Sequence, residues 1–354
     1  MKKFTRTIAI FAAILFLNAI VLHAKVLRVG YNGSAVTGVD YADITQANNN
    51  ATAGDTLHIY GSQSGSINKQ LVLQGFGYNL DAHPTLQAIG TDRPSYAQVT
   101  LNAGSDSCIF EGLAVYLQTF TGKHIIRRCN IDLLYLYNNT NEINDIKVYS
   151  SIVSNLSMVY NGASDKDCKN ILVSNSLIMG SINFYRAGSS GLIINCVTPP
   201  RTITNASFNL TNSSFLVKNS MIDYYQGNNI NTVYDYNLFY DAQPATLPLG
   251  TGNLWSQAWA GIFERINNED RAGWRDYVEF NENYYKLKAG SPAIGAGKDY
   301  ANNATDCGIF GGEEGYKYRL AGIPAIPSIY KLTAPSLSTS TSPYNITISV
   351  KGNN

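Results

Sequence analysis

Four tyrosines recur just past a repeating polar step. They are Tyr137, Tyr160, Tyr185 and Tyr225, in the phrases LYLYNN, LSMVYNG, SINFYRAG and DYYQG. Asn138, Asn161, Arg186 and Gln226 fall beside them. A ring with a polar tip, edged by amides and a guanidinium, can stack on the apolar face of a sugar and hydrogen-bond its hydroxyls. Stacked at the β spacing of about 4.8 Å, such rings would form a strip for a polysaccharide or cell-surface glycan. The same rings could instead ladder against one another to stabilise a sheet, or point inward. A second chemistry is eliminative cleavage of a uronic-acid polymer, which needs calcium held by carboxylates and a base for the proton α to the carboxyl. Asp165 and Asp167 share one loop and are the candidate calcium ligands. Arg127, Arg186 and Lys218 are the candidate bases or carboxylate clamps. The other acids near these phrases are scattered, and His124 reads as a turn or capping residue rather than a base.

These residues sit on a repeat. IIRRCNID, IKVYSSIV, ILVSNSLI, GLIINCVT and FLVKNSMI share one pattern: alternating apolar residues, a small polar step, then another apolar pair. Worn copies, CIFEGLAV and TVYDYNLF, precede and follow them. Aligned on the polar step, Cys129, Ser150, Asn175, Asn195 and Asn219 form one column at intervals of 21, 25, 20 and 24 residues. Period-two alternation, β-branched and aromatic content, and Asn/Ser/Gly connectors specify short strands with tight bends. A period of this length, with no helix-length pattern between copies, predicts a solenoid of stacked rungs: a parallel β-helix. Asn tolerates the left-handed bend such a rung needs, and stacked amides can hydrogen-bond along the axis. Arg127 falls in the register of Val148, Val173, Ile193 and Val217, which read as inward. Either it is a buried, paired arginine or the register slips by one there, and the slip is preferred.

Composition narrows the class. Of the 354 residues only 14% are charged and the net charge is +1, so neither a nucleic-acid surface nor an acidic tail is indicated. Tyrosine is abundant, 24 against 13 Phe and 3 Trp. Residues 1–24 carry Lys2, Lys3 and Arg6, an apolar run and a closing Ala24, the pattern of a secretory signal peptide. No other stretch is long and apolar enough to span a membrane. The expected location is therefore secreted, periplasmic or cell-surface. The five cysteines match no zinc spacing. Four of them, Cys108, Cys129, Cys168 and Cys196, lie within or beside the repeats and read as buried thiols, with a Cys108–Cys129 bridge as the alternative.

Ahead of the repeats, YADITQANNNATAGDTLHIYGS followed by INKQLVLQGFGYN resembles the opening of secreted bacterial right-handed parallel β-helix proteins of the pectate-lyase-like superfamily. YYKLKAGSPAIGAGKD (284–299) and DCGIFGG (306–312) are similar to the closing motifs of such proteins. The resemblance implies an N-terminal cap over 25–66 with a brief capping helix at 41–51, coils over 67–240, a lid and closing motifs over 241–320, and a tail with a terminal strand over 321–354. Within the lid, LWSQAWAGIFERI has helical spacing. Superfamily members that hydrolyse polygalacturonate carry N-T-D, D-D, G-H-G and R-I-K motifs. This chain has no adjacent Asp pair and no G-H-G. The architecture hosts lyases, hydrolases, adhesins and catalytically silent proteins, so function must come from the site. The expected function is an exported glycan-associated β-helix protein. A calcium-assisted polysaccharide lyase and a structural or adhesive surface protein are the alternatives.

Overall fold

The computed structural model describes residues 24–30, 39–80, 95–137, 139–158, 165–199, 208–225, 229, 231–246, 248–264, 282–313, 317–325, 327–333 and 346–352. The expected signal peptide, apart from Ala24, lies outside them.

Every repeat phrase bends once. Ile125–Arg127 is followed by Asn130–Leu136, Lys147–Tyr149 by Ile152–Met158, and Ile171–Ser174 by Leu177–Asn183. The first strand of each pair joins a ten-stranded sheet running from Val26–Val29 to Val233–Asp235. The second joins a seven-stranded sheet running from Ser62–Ile67 to Phe208–Asn209. In both sheets all pairings are parallel. The chain is thus all-β, built of long stacked parallel sheets as a β-helix solenoid requires. Parallel neighbours need crossovers, and here most crossovers include a strand of the other sheet, while that between Val26–Val29 and Thr56–Ile59 includes the helix Ile44–Asn50.

The core runs along the axis. Leu57, Leu73, Phe110, Ile126, Val148, Val173, Ile193 and Val217 occupy one register and are fully buried. Ile126, not Arg127, stands opposite Val148, and Arg127 faces Tyr149 one step further on. The one-residue slip is present, because a period-two pattern cannot place both an isoleucine and the next arginine inward.

The polar step is the corner between the sheets. Arg128, Ser150, Asn175, Asn195 and Asn219 all have left-handed backbone, with φ of 54, 47, 47, 54 and 52°. Cys129 was expected in this column but lies one position beyond it, opposite Ser151. There it belongs to a ladder that ties coils together. The Cys129 N–H donates to Ser151 Oγ (3.2 Å), Ser151 to Ser176 (3.1 Å), Cys196 to Ser220 (3.1 Å) and Ser220 to Asn237 Oδ1 (2.9 Å). All five cysteines are free and buried.

The amides of the asparagine column do not bond one another, contrary to expectation. They hold a strap, residues 297–313 and 317–325, that runs back over the corner from the last coils towards the first. Asn195 Nδ2 donates to the Asp306 carbonyl (3.1 Å), and Asn175 Nδ2 to those of Ile309 (3.0 Å) and Gly311 (2.8 Å). Ser150 Oγ reaches the Lys317 carbonyl (3.0 Å) and Arg128 Nη1 that of Ile323 (3.2 Å). The strap closes a second apolar core outside the solenoid. Ile152 and Leu177, on the outer face of the seven-stranded sheet, and Val197, Met221 and Leu238, which continue their row in the later coils, are buried there with Trp259, Ile262, Phe263, Tyr285, Cys307 and Ile309.

At the other end, Ile44–Asn50 is a short helix whose first turn is capped by Asp43, which accepts the Gln46 N–H (2.8 Å). Ile44 and Ala47 are buried, and the helix lies so close to the strand Ser62–Ile67 that a Cβ on Gly65 would meet Thr45 N at 2.7 Å. The helix expected in LWSQAWAGIFERI is absent from its described positions, which hold only a 3-10 turn at Trp259–Gly261. Left-handed Gly252 and Ser256 break any helical run there, and Trp255 instead stacks on Phe239 (4.0 Å, 11°). The terminal strand Thr347–Lys351 pairs antiparallel with Ser328–Thr333.

Candidate functional site

The outer face of the seven-stranded sheet carries columns set by its register. Alternation along each strand sends every second residue outward, and parallel pairing stacks those residues coil on coil. One column reads Ser66, Thr100, Gln118, Tyr135, Ser157, Asn183 and Asn209. A second holds Ser64, Gln98, Tyr116 and Leu133, with the pair Asn155–Ser181 in the later coils. All are at least partly exposed. The strands of this sheet contain one charged residue, Asp132, an exposed extra residue at the bulge that interrupts the pairing of Val115 and Tyr116 with the next coil. The side chains orient one another. Asn183 Nδ2 donates to Ser181 Oγ (2.8 Å), Ser181 Oγ to Asn155 Oδ1 (3.1 Å), and Gln118 Nε2 to Tyr116 Oη (3.4 Å). Along one side the face is bounded by the second apolar core, where Met179 and Tyr284 are partly buried.

The residues singled out from sequence do not form one strip. Tyr137 lies at the strand-end edge of this face, stacked on Phe120 (4.8 Å, 22°) and edge-on to Tyr135 (6.2 Å). Tyr185, two coils on, is half-buried against the core, and burial raises its pKa. Tyr225 is packed edge-on among Tyr234, Phe239 and Trp255 at 5.5 to 5.9 Å, the inward-packing alternative. Asn138, Tyr160, Asn161 and Gln226 lie outside the described residues.

The charged candidates are separated. Arg186 Nε is 3.3 Å from Asp167 Oδ1 in a half-buried pair, and Asp165 is buried. Arg127 pairs with the buried Glu111 (2.9 Å), which is also 3.5 Å from Arg128 and accepts the Ala325 N–H of the strap (3.0 Å). Arg127 thus sits where it helps to anchor the strap. Lys218 Nζ is 3.4 Å from the Asp299 carbonyl and 6.0 Å from the centre of the Tyr236 ring. It lines a small hollow between the ten-stranded sheet and the strap, with Ser174, Ile194, Tyr300 and Glu313. Among the described residues no three His, Cys, Asp or Glu side chains gather as a metal site would require. His124 is buried and its pKa falls to about 4 through loss of hydration. Its Nε2 lies 3.0 Å from Thr119 Oγ1 and 3.1 Å from Thr121 Oγ1, which makes it a coil-joining residue.

Sequence reasoning passed over Tyr96, Tyr116, Tyr135 and the amides around them. The signal was available in YAQVTL, AVYLQT and NIDLLYL, where polar and aromatic residues alternate with buried aliphatics. Comparison with protein-family models, with curated proteins and with solved structures finds no match to this chain. No helix among the described residues is long and apolar enough to cross a membrane.

Proposed function

We propose that the chain is an exported right-handed parallel β-helix protein of pectate-lyase-like type, with the helix at 44–50 as its cap. On this reading it binds polysaccharide or cell-surface glycan across the outer face of the seven-stranded sheet. The observation that carries the proposal is the outer face itself: two columns of hydroxyls, amides and tyrosines, interrupted only by Leu133, with no charged residue in either. Such groups exchange water for sugar hydroxyls at little cost, and tyrosine adds a ring on which a sugar face can stack. The buried ladder and the strap supply rigidity, so the face is organised before any ligand arrives. Tyr137 and Tyr185 lie along the edge of this face.

The test is electrophoresis of the purified chain through gels cast with soluble polysaccharides, neutral and uronic. Each sample is also followed for the ultraviolet absorbance of an unsaturated elimination product. Retardation without that absorbance supports a binding protein. A calcium-dependent rise in absorbance would replace this proposal with a lyase. No retardation on any polymer would favour a structural role for the solenoid.

A further inference from the structure

Three tyrosines of the open face step diagonally across it. Tyr96 stands beside Ala114, the coil after places Tyr116 beside Gln98 and Leu133, and the next places Tyr135 beside Gln118 and Ser157. Each coil therefore moves the ring two residues along the strand. With rungs about 4.8 Å apart and about 6.6 Å per two residues, successive rings are offset by roughly 8 Å on an oblique line. No two of the three share a column, so they are not the same-column ladder that would serve sheet stability alone. Each is partly exposed. Gln98, Thr100 and Gln118 lie between them, and the bonded group Asn155, Ser181 and Asn183 lies beyond.

We infer that Tyr96, Tyr116 and Tyr135 form an oblique track for a neutral glycan, with one sugar face stacked on each ring. The inference rests on the glycan-binding reading and specifies its ligand class and its residues. Neutrality follows from the surroundings. The strands of this face offer no cation to a carboxylate, and Asp132, in the coil of Tyr135, repels an anionic polymer. A neutral chain meets, apart from Leu133, side chains that can donate to or accept from its hydroxyls. The line of rings crosses the strands obliquely, so the bound chain runs aslant to the solenoid axis.

The experiment is affinity electrophoresis of the full chain in neutral polysaccharides (a β-glucan, a mannan, a xylan, a starch) and in polygalacturonate and alginate. Variants Y96A, Y116A, Y135A and Y116F are run alongside Y137A and Y185A, each checked for an unchanged melting temperature. The expected result is retardation in a neutral polymer, weakened about tenfold by each alanine on the diagonal. Y116F should retain most of the binding, because the ring remains. Retardation by uronic polymers alone would overturn the inference while leaving glycan binding standing. Neutral binding that survives all three diagonal alanines but fails in Y137A or Y185A would move the site to the edge and overturn it equally. Absence of retardation in every polymer would overturn the inference together with the reading beneath it.

Discussion

Asn219 and Lys298 hold each other reciprocally: Asn219 Nδ2 donates to the Lys298 carbonyl at 2.8 Å, and the Lys298 N–H donates to Asn219 Oδ1 at 2.9 Å. The side chain thus imitates a strand partner for a segment 79 residues later in the chain. Its own backbone is left-handed because the corner turns there, and asparagine is a residue that accepts this conformation with little strain. One residue type therefore serves two needs at each of three coils, bending the rung and docking the strap.

Removing the amide while keeping the bend separates those roles. Asn175→Gly retains left-handed freedom but loses both bonds to Ile309 and Gly311. It should cost about 1–2 kcal/mol in urea unfolding. Asn175→Asp keeps the shape but turns an acceptor towards two buried carbonyls, and should cost about 2–3 kcal/mol. Both should expose the strap to protease before the coils. A Gly variant as stable and as resistant as the parent would show that the amides do not secure the strap.

The register at the fourth coil predicts opposite outcomes for adjacent substitutions. Ile126 is fully buried, so Ile126→Ala should cost about 2–5 kcal/mol. The Arg127 side chain is 45% exposed, and its buried partner Glu111 keeps Arg128 at 3.5 Å and the Ala325 N–H when Arg127 is removed. Arg127→Ala should therefore cost about 1 kcal/mol or less. The reverse ranking in chemical denaturation would place the arginine inward and undo the register.

Cys129 and Cys196 occupy the hydroxyl ladder rather than a reactive site. The Cys129 sulfur is 3.3 Å from the Arg127 carbonyl, as Ser151 Oγ is 2.7 Å from that of Tyr149. Burial pushes both thiols up to about 12, so neither forms thiolate near neutrality. Mass spectrometry should find no alkylation of either at pH 8 in the folded chain and complete alkylation in denaturant. Cys129→Ser should fold with a change of about 1 kcal/mol or less, since serine fills the same slot in the neighbouring coil. Rapid alkylation in native buffer would contradict the burial on which this rests.

The solenoid was legible because its cause is local and repeated. Alternation in ILVSNSLI and its copies requires strands, and the left-handed asparagine requires a bend at one fixed step. The slip at IIRRCNID was visible only as a conflict, an arginine in an inward slot, and needed the pairing of Tyr149 with Arg127 to resolve. The strap was not legible, because nothing local to DCGIFGG says that its carbonyls meet Asn175 and Asn195. That contact spans 134 residues for the Asn175–Ile309 bond. The candidate face was missed for a related reason. Tyr96, Tyr116 and Tyr135 sit at different depths of their strands, so an alignment on the polar step scatters them. Tyr225 was misleading because a tyrosine beside a turn reads alike whether its ring faces solvent or Trp255.

His124 makes stability depend on acidity in a defined window. Thr119 Oγ1 is committed to the Thr121 carbonyl (2.8 Å), so His124 Nε2 carries the hydrogen that points at Thr119. Nδ1 is buried without a hydrogen-bond partner among the described residues, so a second proton there would place a charge where none of them accepts from it. Burial lowers the pKa to about 4 from the usual 6.5, against a smaller opposing effect of Asp106. Between those values the unfolded chain binds more protons than the folded one, so stability rises with pH across the window and is lost as pH falls through it. The full effect is about 3 kcal/mol, developed below pH 4, with roughly half already present at pH 5. His124→Gln removes this dependence while leaving an amide within reach of the threonines. Urea unfolding at pH 7 and pH 5 should therefore show the parent losing about 2 kcal/mol more than the variant. Equal losses in the two proteins would mean that His124 titrates normally and is not sealed between the coils.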